Sequence, residues 1–206
     1  MYKKFGKRLI DIILSSCGIL VLSPVLLILV IAIKLDSPGP VLFRQKRVGL
    51  HKTHFNILKF RTMRIDTPKD CPTHLLENPQ QWITKVGGFL RKTSLDELPQ
   101  IFNIFVGHMS VIGPRPALWN QYDLIEERDK YGANDVLPGL TGWAQINGRD
   151  ELEIPVKARL DGEYVQKLSF GFDVKCFVGT IASVLKHDGV VEGGTGTMEK
   201  EKEESK

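Results

Sequence analysis

The chain has 206 residues, 42% of them apolar and 25% charged, with a formal net charge of +4. That length fits one domain, or one domain with a membrane element. Its three cysteines, Cys17, Cys71 and Cys176, are odd in number and far apart, which argues against a disulfide framework or a CxxC metal site and points to a reducing compartment. The charge is uneven: between residues 37 and 65 stand Arg44, Lys46, Arg47, Lys52, Lys59, Arg61 and Arg64 without a single acid, a block suited to phosphate groups or an anionic membrane surface.

Residues 9–33 form an apolar stretch whose only charge is Asp11. It is long enough for a bilayer, which needs about 20 apolar residues. Ser23-Pro24 falls in its middle, where proline removes a backbone hydrogen bond and bends or breaks a helix. Lys3, Lys4, Lys7 and Arg8 precede the stretch and Lys34 follows it, so the excess of cations would hold both ends on the cytoplasmic side. The residues alone leave two arrangements open, a spanning helix with a tolerated proline and a helix that dips in, bends and returns. A cleaved lipoprotein leader ending at Cys17 is disfavoured, because the apolar segment before it is too short and the run continues beyond it.

Asp36-Ser37-Pro38-Gly39-Pro40 closes this segment as a turn. Residues 41–45 and 54–60 then read as short strands around Gly49, a hairpin. Lys59 and Arg61 would share a face if the second strand continued, which suits a diphosphate, although a solvated strand edge has the same pattern. Residues 65–81 read as a loop or lid, with Cys71 and His74 at no recognisable metal spacing. Next comes Arg91-Lys92-Thr93-Ser94-Leu95-Asp96-Glu97-Leu98-Pro99-Gln100. Ser94 and Glu97 have the spacing of a capping box, which would put Asp96 and Glu97 in the first turn of a helix. Pro99 makes that turn irregular. The two acids either stabilise a helix start or supply a carboxylate nucleophile with a metal-binding or acid–base partner.

Ile101, Phe102, Ile104, Phe105 and Met109 follow at helical spacing and face a core or a membrane interface. In Gly113-Pro114-Arg115-Pro116 two prolines flank one arginine, either a plain turn or a rigid mount for an anion contact. Pro138-Gly139-Leu140-Thr141-Gly142-Trp143 is a second rigid turn, leading to Asn147-Gly148-Arg149. Residues 155–167 read as a helix with Lys157 and Asp161 one turn apart, 172–186 as a last amphipathic helix, and 199–206 as a charged tail. The chain has no GxxxxGK[ST], HExxH or GxSxG motif and no strand-linked GxGxxG, so ATPase, zinc protease, α/β-hydrolase and Rossmann functions lack support.

Taken in order, these stretches resemble the bacterial sugar transferase family, the small monotopic polyprenyl-phosphate phosphoglycosyl transferases. The resemblance covers residues 7–186 and rests on Lys7-Arg8-Leu9-Ile10-Asp11, Ser23-Pro24, Ser37-Pro38-Gly39-Pro40, Lys59-Phe60-Arg61-Thr62-Met63, the stretch around Asp96-Glu97, Met109-Ser110-Val111-Ile112 with Gly113-Pro114-Arg115-Pro116, the turn at Pro138, and Asn147-Gly148-Arg149. It implies an α/β (α+β) fold: a re-entrant helix–break–helix at 1–36, a small mixed catalytic domain with interfacial amphipathic helices at 37–190, and a charged tail at 191–206. It also implies an enzyme on the cytoplasmic face of the bacterial inner membrane, acting at the first membrane step of a surface glycan pathway. A sugar 1-phosphate would pass from a UDP-sugar to undecaprenyl phosphate with release of UMP. The partners are then those two substrates and membrane lipids, with no nucleic acid and with homo-oligomerisation left open.

The family works with Mg²⁺ in two steps, so Asp96 would be the nucleophile and Glu97 its catalytic partner, both near the metal. Lys59, Arg61, Arg91, Arg115, Arg149 and Asp161 would bind substrate, and Ser23-Pro24 would bend the membrane helix. His108 and Trp82 stand where the family has an acid and a base. The resemblance implies a minimal form, without the extra membrane helices and soluble domain of long members. A membrane-bound UDP-sugar pyrophosphatase and an inactive scaffold are the alternatives.

Overall fold

A computed structural model describes residues 2–67, 79–148 and 152–186. It is mixed helix and strand. In chain order the elements are α1 (Lys7–Asp36), β1 (Leu42–Val48), β2 (His54–Phe60), α2 (Lys85–Thr93), α3 (Gln100–Val106), β3 (Ser110–Ile112), α4 (Tyr122–Asp129), β4 (Gly139–Thr141), α5 (Trp143–Ile146), α6 (Ile154–Lys167) and α7 (Phe170–Lys186). Among the described residues two two-stranded sheets form, β1 with β2 and β3 with β4. The hairpin expected around Gly49 is present, with its first strand running three residues further than the sequence suggested. Residues 187–206, including the charged tail, lie outside the described residues, as do Cys71 and His74.

The chain divides into two compact units. One comprises Met1–Asp11, Lys46–Phe55 and Gly107–Lys206; the other comprises Ile12–Gln45 and Asn56–Val106.

The second unit holds most of α1, with α2 and α3. Leu29 and Ile33 of α1 form a core with Phe60 and Leu90, and Leu26 and Val30 pack against it. Those four α1 positions are spaced three or four apart and make one stripe. Leu20, Val21, Leu27, Ile28, Ile31 and Leu35 remain exposed. α1 is long and apolar enough to cross a membrane. α1 runs through Pro24 as one helix where the sequence led to a helix–break–helix, and Ser23 Oγ donates to Leu20 O, the carbonyl that a residue-24 N–H would otherwise take. α2 begins with two caps: Thr84 Oγ1 accepts from the Gly87 N–H at 2.9 Å, and Asp36 Oδ2 from the Val86 N–H at 3.0 Å. A Cβ on Gly87 would lie 2.0 Å from the Thr62 carbonyl oxygen, so only glycine lets α2 approach that strand exit.

In the first unit, β3 and β4 pair in parallel with Ser110 opposite Gly139 and Ile112 opposite Thr141. The crossover between them carries α4. One core cluster joins Val48, Ala117, Leu124 and Ala158; another joins Ile112, Tyr164, Leu168 and Cys176. Burial pushes the Cys176 thiol up to about 11, which leaves it inert. Asp11, the lone charge of the apolar run, is buried, and its Oδ1 accepts from Ser110 Oγ at 3.0 Å and from the Val111 N–H at 2.9 Å. Asp173 of α7 receives Lys7 Nζ and the Tyr164 hydroxyl, each at 2.8 Å. These two carboxylates explain why charges sit beside the apolar run at all.

Candidate active site

The site is built from the stretch that links α2 to α3. α2 stops at Ser94, which takes the left-handed conformation (φ 55°) usually left to glycine or asparagine. Leu95–Glu97 then make one 3-10 turn, and α3 starts only after Pro99. The capping box is not formed: the Ser94 side chain caps nothing, and its backbone conformation turns it away. The irregularity expected from Pro99 is present, because a proline at that position cannot return an N–H to the preceding turn. Asp96 and Glu97 therefore sit on a tight, strained connection between two helices.

β2 delivers Lys59 to this turn. Its ammonium lies 2.7 Å from Glu97 Oε1, with each side chain about one-fifth exposed. Burial pushes the Asp96 carboxyl above the usual carboxylate range; Lys59 and Arg91 pull it down, while Glu97 pushes it further up. Arg91, in the last turn of α2, donates from Nε to Thr62 Oγ1 at 2.9 Å. The two neighbouring acids thus have different surroundings. Glu97 is ion-paired, whereas Asp96 is half-buried among charges, a state that leaves a carboxylate reactive.

Arg61 behaves differently from the expectation of a cation beside Lys59. β2 ends at Phe60, and Arg61 lies just beyond it. The Arg61 guanidinium is buried and donates to the carbonyls of Ser37 (2.7 Å) and Pro38 (2.8 Å) and to Ser37 Oγ (2.8 Å). It fastens the Ser37-Pro38-Gly39 turn after α1.

Arg115 and Asp161 belong to the first unit, and Arg149 lies outside the described residues. The loop carrying Arg115 is held at three consecutive carbonyls. Pro114 O accepts from the Gly139 N–H at 2.8 Å, Arg115 O from Arg128 Nη2 at 3.0 Å, and Pro116 O from Arg47 Nη1 at 3.0 Å. Asp161 is buried beneath this loop's clamp: Arg128 Nε and Nη2 donate to its Oδ2 at 2.8 and 2.6 Å, with both side chains almost fully covered. A substrate contact was expected of Asp161; what it touches is Arg128. Three glycines complete the loop. A Cβ on Gly113, Gly139 or Gly142 would lie 2.1–2.5 Å from a backbone oxygen or nitrogen of a neighbouring turn. Arg128 had escaped the sequence, and Arg47 stood there only as one of seven cations, since nothing in spacing shows which arginine clamps a loop. Of the two departures, the His108 ring packs 5.7 Å from Phe55, and the Trp82 carbonyl accepts the Arg64 N–H.

Among the described residues no three His, Cys, Asp or Glu side chains gather as a metal cage. Asp96 and Glu97 do fit a hard divalent ion of the Mg²⁺ kind, which commonly takes one or two carboxylates and completes its shell with water and substrate phosphates.

Residues 2–187 match the sequence model of the family described as bacterial sugar transferase. The chain is 43% identical over 183 residues to the UDP-glucose:undecaprenyl-phosphate glucose-1-phosphate transferase of Escherichia coli K12, covering 85% of this chain and 39% of that protein. It is 37% identical over 194 residues to the uncharacterized sugar transferase EpsL of Bacillus subtilis 168, covering 94% of each. It is 39% identical over 191 residues to the exopolysaccharide production protein PSS of Rhizobium leguminosarum bv. phaseoli, covering 87% of this chain and 94% of that one. The chain therefore spans about two fifths of some relatives and nearly all of others. With most of its length matched, it belongs to the bacterial sugar transferase family.

Proposed function

We propose that the chain transfers a sugar 1-phosphate from a UDP-sugar to undecaprenyl phosphate through a phosphosugar carried on Asp96. The observation that carries this reading is the half-buried Asp96 beside the Lys59–Glu97 pair. Asp96 attacks the β-phosphorus of the donor, forming an acyl phosphate as the bond to the bridging oxygen breaks and UMP departs. The phosphate of undecaprenyl phosphate then attacks the same phosphorus, giving the lipid diphosphate sugar and freeing Asp96. Both steps bring anions together, so the nearby cations matter most in the transition state. Lys59 and Arg91 are assigned that part. Arg115, on its clamped loop, and Arg149 are assigned to the nucleotide end of the donor, while Arg61 and the Arg128–Asp161 pair act as supports. Mg²⁺, held by Asp96 and Glu97 together with donor phosphates, would neutralise charge on the diphosphate.

The lipid acceptor puts the reaction at a membrane surface. α1 supplies the anchor, with its exposed apolar face in lipid. Basic residues at both ends support a re-entrant arrangement on the cytoplasmic side. The name of the Escherichia coli relative makes UDP-glucose the first donor to try.

The test is UMP release from a panel of UDP-sugars with Mg²⁺, with and without undecaprenyl phosphate. Turnover that requires the lipid for one or two donors supports the transferase. Turnover without lipid would favour a pyrophosphatase, and no release from any donor would favour a scaffold.

A further inference from the structure

We propose that Asn103 is a positioning residue for the Lys59–Glu97 pair, its carboxamide serving as a third strand on the open edge of β2. Odd-numbered residues of β2 turn their backbone groups toward β1, as the Arg61 N–H to Val41 O bond at 2.8 Å continues to do just past its end. Asn56 and Leu58 therefore point theirs to the other side, where the sheet has no further strand among the described residues. Asn103 fills that place. Its Oδ1 accepts the Leu58 N–H at 2.9 Å and its Nδ2 donates to Asn56 O at 2.9 Å. The side chain is 2% exposed. A donor and an acceptor on the strand fix which way the amide must face, so both of its ends are used.

The location gives this bond pair its functional weight. Asn103 lies on α3, the helix that follows Asp96 and Glu97 directly, and Leu58 is the residue before Lys59. One side chain thus fastens the segment carrying the acids to the segment carrying the cation. Without it, two backbone groups of β2 lose their partners, and the strand can shift or fray at the position that aims Lys59. The consequence for catalysis rests on the proposed transferase chemistry; the consequence for the Lys59–Glu97 contact does not.

The full-length protein in detergent is treated with an amine-acylating reagent, and modification of Lys59 is followed by peptide mass spectrometry in wild type, Glu97→Gln, Asn103→Leu and Asn103→Asp. Glu97→Gln should label faster, because the ammonium loses its partner. Asn103→Leu should label as fast as Glu97→Gln, and Asn103→Asp in between, since it keeps the acceptor for Leu58. Labelling of both Asn103 variants at the wild-type rate would overturn the proposal, and if Asn103→Leu does not fold, Asn103→Asp alone decides by the same comparison. In the UMP-release assay, Asn103→Leu should lower kcat by about tenfold or more with little change in KM. The further loss from Lys59→Ala should shrink in that background. Independent, multiplicative losses would count against positioning. A wild-type protein that releases no UMP would defeat the transferase reading, while the labelling comparison would still decide the role of Asn103.

Discussion

Two adjacent acids, Asp96 and Glu97, have different surroundings. Glu97 is held by Lys59 at 2.7 Å, and Asp96 carries a carboxyl that burial keeps above the ordinary range. Activity should therefore rise with pH along an acid limb above that of a free aspartate, because the proposed attack by Asp96 needs its ionised form. Lys59→Ala should move that limb further up, since Lys59 pulls the Asp96 carboxyl down. The linkage to stability has the opposite sense: with the folded-state carboxyl raised, the folded chain holds its proton longer, so this group's contribution falls as pH climbs through its folded value. Asp96→Asn should flatten that part of a melting profile against pH, and an unchanged profile would mean Asp96 is not desolvated. Asp161 and Arg128 make the contrasting pair. Arg128→Ala would leave a buried carboxylate alone and should cost about 3–5 kcal/mol in denaturant titration, whereas replacing both by apolar residues should cost less.

Elements are fastened here by contacts that tolerate no extra atom. Gly139 ends one side of the β3–β4 pairing, and its N–H bonds Pro114 O at 2.8 Å. A methyl group there would meet the backbone of Gly113, so Gly139→Ala should lower stability by about 1–3 kcal/mol and reduce turnover, as the Arg115 loop must shift. Thermal melts and UMP release would check both halves. The sequence exposed much at this scale. Turn residues marked the hairpin, and Pro155 and amphipathic spacing marked the last two helices, whereas the rigid turn expected from Pro138 to Trp143 is strand β4 leading into α5. It misled at Ser94, where the S-x-x-E spacing is satisfied but a left-handed backbone removes the cap. β3 and β4 escaped notice because three residues give too little alternation to register. Asn103 could not have been found from sequence, since its partners are strand backbone 45 and 47 positions away.

For the whole molecule, the legible part was the ordered set of short motifs, which led to the family, and the apolar run, which led to α1. The buried polar ties at Asp11 and Asp173 were not legible, because a charge in or near an apolar run looks the same whether it is paired or functional. The re-entrant arrangement predicts that both ends of α1 face one side of the membrane. Lys3→Cys and Lys52→Cys, each made singly in a background with Cys17, Cys71 and Cys176 replaced by serine, should react with an impermeant maleimide in inverted vesicles and remain unlabelled in right-side-out cells. Labelling of the two sites from opposite sides would establish a spanning helix. The central claim is the covalent role of Asp96, and intact-protein mass spectrometry tests it most directly. With the reactive UDP-sugar, Mg²⁺ and no lipid acceptor, the protein should gain one sugar phosphate on the peptide containing Asp96, release an equal amount of UMP, and lose the adduct when undecaprenyl phosphate is added. Asp96→Asn should show neither adduct nor UMP. Lipid-dependent turnover without any adduct, or turnover retained by Asp96→Asn, would contradict the account.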